Sequence, residues 1–297
     1  MSKHIFWIAS FPKSGNTLLR AILSSLFFSE DGKFDFDLLK PIPTFENKTR
    51  LNFIKKINQN DFNSLNKLNV LSKYWNLTQS KSNLGFEKDM GFLKTHHALV
   101  KYDNKSFTNE ESCKGFIYIL RDPRDVAISW SHHSKITLDQ SVSFLTNELS
   151  ATQWNESKKS LLKKNINPLV VVSSWEQNAL SWIETQWKIP KLILRYEDLV
   201  YDKINSIESI ANYFVKNFNF KFSNLEKKIK NIVETTNFIK LKEREKELGF
   251  KEATNGAFFR VGKKNQWKNK LNKNQLNLIE SKFKKTMTKF GYQLNDE

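Results

Sequence analysis

The sequence predicts an α/β fold, a single domain over residues 1–297 with a central, mostly parallel β-sheet flanked by helices. Three observations carry this reading. Four short runs, Ile5–Ala9, Phe92–Thr95, Phe116–Leu120 and Leu192–Tyr196, are apolar or β-branched and have the length of buried strands. Helical patterns lie between them, so successive strands return by crossovers, pair in parallel and are covered on both faces. There is no internal repeat, heptad series or Gly/Ser linker, and 9 glycines and 6 prolines in 297 residues leave little room for a hinge. In such sheets ligands bind beyond the carboxyl ends of the strands, so the residues just after each strand are where chemistry is expected.

The first strand runs into Ser10-Phe11-Pro12-Lys13-Ser14-Gly15-Asn16-Thr17. A helix follows, marked by Leu18, Leu19, Ile22, Leu23, Leu26 and Phe27 at helical spacing. A strand, a tight loop and a helix N-terminus present unpaired amides and the positive end of a helix dipole to an anion. Lys13 adds a full charge, Gly15 lets the backbone approach closely, and Ser14, Asn16 and Thr17 add donors. This is a P-loop-like core suited to phosphate. It is not a Walker A loop, because the lysine stands two residues before the only glycine instead of after the second. The bland alternative is an ordinary capped turn.

The second strand ends in Lys94-Thr95-His96-His97. A histidine there can act as a general base and a lysine can hold developing negative charge. Two adjacent histidines do not make a metal site, and a surface pair is the alternative reading. The third strand is followed by Arg121-Asp122-Pro123-Arg124-Asp125 and, further on, Ser129. Asp122 reads as an N-cap, Pro123 as the first helical residue and Asp125 as a capping-box acid. Arg121 is placed for bidentate phosphate contact, unless it and Arg124 only pair with the local aspartates. Leu180, Trp182, Ile183 and Trp187 mark a helix before the fourth strand, and the lysine-rich stretch Leu225 to Lys246 reads as helical.

Composition bounds the rest. With 48 Lys+Arg against 31 Asp+Glu the formal net charge is +17, which points to an anionic partner such as nucleic acid, a membrane surface or a phosphorylated small molecule. The lysines are spread along the chain, so a compositional habit explains the charge equally well. The 24 Phe and 8 Trp supply core material and exclude a disordered chain. No apolar run approaches the roughly 20 residues of a membrane-spanning helix. The first apolar stretch is strand-length, which argues against a secretory signal. The one cysteine, Cys113, excludes an internal disulfide and a cysteine zinc site, and the expected location is cytoplasmic.

Taken together, these segments resemble the cytosolic-type sulfotransferases that use 3′-phosphoadenosine 5′-phosphosulfate (PAPS). The resemblance runs from Ile5 to about Asn269. It rests on Pro12 to Thr17, Lys94-Thr95-His96, the Arg121 and Ser129 spacing, Leu194-Arg195-Tyr196-Glu197-Asp198-Leu199, Thr236-Asn237-Phe238, and Phe259-Arg260-Val261-Gly262 running on to Trp267-Lys268-Asn269. It implies transfer of the sulfuryl group to a hydroxyl or amine of a small-molecule, lipid or glycan acceptor, leaving 3′-phosphoadenosine 5′-phosphate (PAP), with no metal. His96 would be the base. Lys13 and Lys94 would hold charge at the transferring group, and Ser129 would also restrain Lys13. Lys13, Ser14, Gly15, Asn16 and Thr17 would hold the 5′-phosphate, and Arg121 and Ser129 the 3′-phosphate. Leu18, Tyr196, Thr236, Asn237 and Phe238 would surround the adenine, and Arg260, Val261 and Gly262 would close over the 3′-phosphate.

The sequence departs from the family at several of these positions. Leu18 stands for tryptophan, Val261 for lysine (with Lys263 or Lys264 as compensating candidates), Asn237 for serine, and Asn178 for a structural histidine. Asn272 and Lys273 replace part of a dimerisation motif, so oligomeric state is left open. Acceptor recognition falls by elimination to Ser29–Asp89, read as helices lidding the pocket, and to Asp139–Asn167. Two other readings stay open: a nucleotide-dependent phosphotransferase, and a basic nucleic-acid-binding protein, for which no recognition motif is present. Nucleic acid is therefore not expected as the primary partner.

Overall fold

Alternate residues of the first strand enter two different cores. Ile5, Trp7 and Ala9 pack with Leu93, Phe116, Tyr118 and Leu120, while Phe6 and Ile8 pack with Phe92, Ile117, Ile119 and Leu194. Both sets are buried, as a parallel sheet covered by helices on each face requires. The computed structural model describes residues 3–153, 168–253 and 256–295. Among them the central sheet has four strands in the order Met90–Thr95, His4–Ser10, Cys113–Leu120, Lys191–Arg195, all pairing in parallel. Trp7 stands opposite Leu93 on one side and Phe116 on the other. The expected α/β class and central parallel sheet are therefore present.

Each observed strand contains or overlaps its predicted run, with shifted ends. Tyr196 is not a strand residue; it opens the helix Tyr196–Tyr201. Trp187 lies beyond its helix, which ends at Ile183. The lysine-rich stretch is two helices, Leu225–Thr235 and Phe238–Leu248. The break falls at Thr236-Asn237 because Asn237 turns its side-chain oxygen onto the amides of Ile239 and Lys240 and caps the second helix. Two small antiparallel pairs, Lys101–Tyr102 with Lys105–Ser106 and Ala151–Gln153 with Leu169–Val171, carry no alternation long enough to read from sequence.

Asp122 caps the helix Pro123–Ser134 as expected. Asp125 does not complete a capping box. Its carboxylate accepts instead from the amides of Asn265 and Trp267 and ties the C-terminal loop to this helix. The segment Ser29–Asp89 forms short helices, among them Asn52–Ile57 and Leu68–Leu71, but it is not a lid. Phe45, Leu51, Ile54, Leu65, Leu71 and Trp75 pack into the core around Trp7. Of Asp139–Asn167, the helix Leu138–Thr146 and the strand Ala151–Gln153 are in place, and residues 154–167 lie outside the described residues.

Candidate active site

The carboxyl ends of the four strands face one cavity of about 1090 Å³. Every residue to which the resemblance gives a role in catalysis or donor binding lines it except Ser14, which lies fully buried beneath. The cavity wall thus brings together Lys13, Gly15 to Leu18, Lys94, His96, Arg121, Ser129, Tyr196, Thr236 to Phe238, and Arg260 to Gly262.

The phosphate-type loop is shaped by sterics. Gly15 has φ +98° and precedes the helix Asn16–Phe28, whose first turn no side chain caps. A Cβ on Gly15 would meet the Tyr196 ring at 2.4 Å, so the tyrosine packs directly on the loop backbone. Asn16 donates to the carbonyl of Ile8 at 3.2 Å and to Ser10 Oγ at 3.1 Å, fastening the helix start to the strand end. Ser14 Oγ, Asn16 Oδ1 and Arg121 Nε are buried with no hydrogen-bond partner among the described residues. Such orphans are costly, and a polyanionic ligand at this loop would satisfy the donors among them.

Arg121 is not consumed by the neighbouring aspartates. Its Nη1 donates to the carbonyl of Lys13 at 3.1 Å and its guanidinium lies 4.4 Å from the Tyr196 ring centroid. Arg124 is the arginine that pairs, with Asp122 and Glu280. The guanidinium of Arg121 is therefore braced by two partners and keeps donor capacity at the cavity.

The two histidines divide sharply. His96 Nδ1 lies 2.8 Å from the carbonyl oxygen of Ser10, which can only accept, so this nitrogen carries the proton and the neutral ring keeps its lone pair on Nε2. Burial, and then the adjacent Lys94 charge, push the His96 pKa well below the usual imidazole range. His97 is neither a surface residue nor a pocket residue. It is 1% exposed, stacks on Phe107 at 4.2 Å and accepts from the Val171 amide through Nδ1. Burial lowers it to about 3. Asn178, in place of the missing histidine, accepts from Tyr118 and donates to the carbonyls of His96 and Val172.

Burial, and then Lys94 and Arg121, lower Lys13 to about 7. Its ammonium lies 4.1 Å over the Phe258 ring and makes no hydrogen bond to Ser129. Burial also lowers Lys94. Phe238 lies against Gly262, where a Cβ would meet its ring at 2.2 Å. Neither Lys263 nor Lys264 lines the cavity, and Lys264 lies over the Tyr201 ring. Lys203 is the cation at that end, donating to Thr236 and lowered to about 8 by burial.

Sequence reasoning missed Lys203 and three more features. Trp130 and Phe144 stack at 4.6 Å to form an aromatic wall, and His133 packs on Trp130 at 5.7 Å. Burial, and then Lys13 and Lys94, lower His133 to about 4. Glu252 enters the cavity beside Thr17 and Arg20. The only advance signal was the Trp130-x-x-His133 spacing of one helix face; Glu252 and Lys203 arrive from segments with no motif. Among the described residues no group of three or more His, Cys, Asp or Glu is arranged to hold a metal ion, and no helix is long and apolar enough to cross a membrane.

A family model described as "Sulfotransferase domain" matches residues 3–291. Sulfotransferase 2A2 of Rattus norvegicus is 28% identical over 67% of this chain and 64% of its own length. Luciferin sulfotransferase of Photinus pyralis is 23% identical over 71% and 51%, and amine sulfotransferase of Oryctolagus cuniculus is 27% identical over 65% and 62%. The chain thus spans less than two thirds of the length of these curated relatives. A solved retinol dehydratase, in complex with androsterone and inactive cofactor PAP, superimposes with a TM-score of 0.60 at 19% identity, covering 100% of this chain and 84% of that one. A mouse sulfotransferase complexed with PAP gives 0.58 at 18%, covering 97% and 84%. At these identities the two structures share the fold.

Proposed function

The chain belongs to the sulfotransferase domain family, and on that premise we propose that it moves the sulfuryl group of PAPS to a hydroxyl or amine of a small-molecule acceptor. The observation that carries the reading is the orientation of His96: Nδ1 anchored on the Ser10 carbonyl, the ring neutral, and the residue at the wall shared with Lys13 and Lys94.

The residues present suit the donor. Amides of the uncapped loop, Ser14 Oγ and Thr17 Oγ1 would hold its 5′-phosphate; Arg121, Ser129 and Arg260 would hold its 3′-phosphate; Tyr196, Phe238 and Leu18 would flank its adenine. When bound, PAPS supplies an activated sulfuryl group. His96 takes the acceptor proton at Nε2, which burial keeps available at neutral pH. Lys13 and Lys94 hold a positive field where negative charge develops, in a site whose burial strengthens that field. The Ser10 carbonyl holds the imidazole and Asn178 holds the His96 main chain, so the ring is oriented before transfer.

The acceptor would rest on the wall of Trp130, His133, Phe144 and Phe258, which favours a compact, planar small molecule over a glycan or a lipid headgroup. The curated relatives carry names that point to small-molecule acceptors, luciferin and amines among them. A cytoplasmic location is part of this reading, supported by the single, buried cysteine Cys113.

The test is transfer of labelled sulfate from PAPS to a panel of phenols, alcohols and amines. Transfer by the wild type, with turnover lost in His96→Ala while PAP affinity is kept, supports the reading. Normal turnover in His96→Ala would show that another group is the base.

A further inference from the structure

Glu252 Oε2 accepts from Thr17 Oγ1 at 3.2 Å, and Oε1 pairs with the Arg20 guanidinium. Its side chain is 22% exposed and lines the cavity that also holds Lys13 and Lys94. This is a carboxylate inside a site built for an anion. Arg20 itself is 3% exposed and spends its other donors on the carbonyls of Ile42 and Leu39.

We propose that Glu252 is an internal competitor for the donor's phosphosulfate, occupying the anion site until the donor displaces it. The inference rests on the donor reading given above. Thr17 has one hydroxyl proton, so it cannot donate to Glu252 and to a bound phosphate at once. A phosphate arriving at Thr17 also meets the Glu252 charge, and like charges at one site exclude each other. The reason to keep such a group is compensation. Without Glu252, Lys13, Lys94 and Arg20 would lose a nearby counter-charge in a largely buried site, with Glu46 left as the other carboxylate acting on Lys94, and that loss is unfavourable. Burial raises the Glu252 pKa, but Lys94 and Arg20 outweigh it and hold the group at about 2, so it stays ionised at every working pH.

The backbone around Glu252 suits a side chain that leaves. Gly249 has φ +71° and Gly256 has φ +120°, and a Cβ at either would meet nothing within 4 Å. Glycine is thus used at both places for backbone freedom and not for crowding. Beyond them, the amides of Phe258 and Phe259 are held by Glu245 at 2.6 and 2.9 Å.

The experiment is calorimetric titration of PAP and, separately, of inorganic pyrophosphate into the full chain, as wild type, Glu252→Gln and Glu252→Ala. Both variants should bind both ligands about tenfold tighter or more, since one charge-assisted competitor is gone. Equal or weaker binding by variants that melt like the wild type would overturn the proposal and make Glu252 a brace for Arg20. If Glu252→Ala does not fold, the isosteric Glu252→Gln decides. If pyrophosphate binds tighter in the variants while PAP binds none of the three, the donor reading falls and the competition stands. Absence of any anion binding in all three proteins overturns both.

Discussion

The side-chain amide of Asn178 donates to the main-chain carbonyl of His96 at 3.0 Å, and its oxygen accepts from Tyr118 at 2.7 Å. It also reaches the Val172 carbonyl at 2.7 Å, so one fully buried amide satisfies three groups around the proposed base. Asn178→Leu would strand all three. We expect a loss of about 3 kcal/mol of stability in urea unfolding, from buried polar groups left unpaired. Turnover should fall further than the unfolded fraction accounts for, and PAP affinity should hold. Equal losses in both would make Asn178 structural only.

Gly15→Ala puts a Cβ 2.4 Å from the Tyr196 ring at a φ of +98°. Strain of about 1–3 kcal/mol is expected, read as a lower melting temperature and weaker PAP binding. Adding Tyr196→Ala removes the clash, so the double variant should recover part of the stability. Simple additivity of the two losses would show that the ring is not what the glycine accommodates.

His97, held at about 3 by burial, makes stability depend on pH. Its folded pKa lies below the unfolded value, so the unfolded chain takes up the proton first. The contribution is present in full above about pH 6.5 and is lost as pH falls toward 3. The stability difference between wild type and His97→Gln should therefore shrink by about 1.4 kcal/mol per pH unit between roughly 6 and 4. Parallel curves would place His97 in a solvated environment.

Lys13 is lowered to about 7 by burial and then by Lys94 and Arg121. An anion beside it restores the proton. PAP binding at pH 7.5 should take up between about one half and one proton, read from calorimetry in buffers of different ionisation enthalpy. Affinity should weaken as pH rises above 7, and Lys13→Arg should abolish the uptake. Zero uptake in the wild type would separate Lys13 from the anion.

Arg121 stacks on Tyr196 and keeps an unpartnered Nε. Arg121→Ala should weaken PAP binding by about 10- to 100-fold, as loss of a charge-assisted anchor implies. ADP binding should change far less if this arginine holds the 3′-phosphate.

What was legible in the sequence was local. The Lys13 to Thr17 loop, the Lys94 to His96 strand end and the Arg121 helix entry each sit where a strand meets a turn or helix, and short-range patterning places them correctly. Tertiary forces overrode local rules elsewhere. Asp125 has the capping-box position but gives its oxygens to Asn265 and Trp267. Leu225 to Lys246 has continuous helical character, yet the Asn237 cap splits it and turns Thr236 and Phe238 into the cavity. His97 beside His96 gave no sign of its opposite fate, because only the packing of Phe107 and Val171 decides which ring is sealed away. Glu252, Lys203 and His133 reach the cavity from separate helices and loops, a convergence no single window of sequence contains.

The most direct test of the donor site is a calorimetric titration of the wild-type chain with PAP, with ADP as control. The account predicts micromolar binding of PAP that depends on the 3′-phosphate. Equal binding of ADP, or no binding of PAP, would contradict it, because Arg121, Ser129 and Arg260 would then not form the site described.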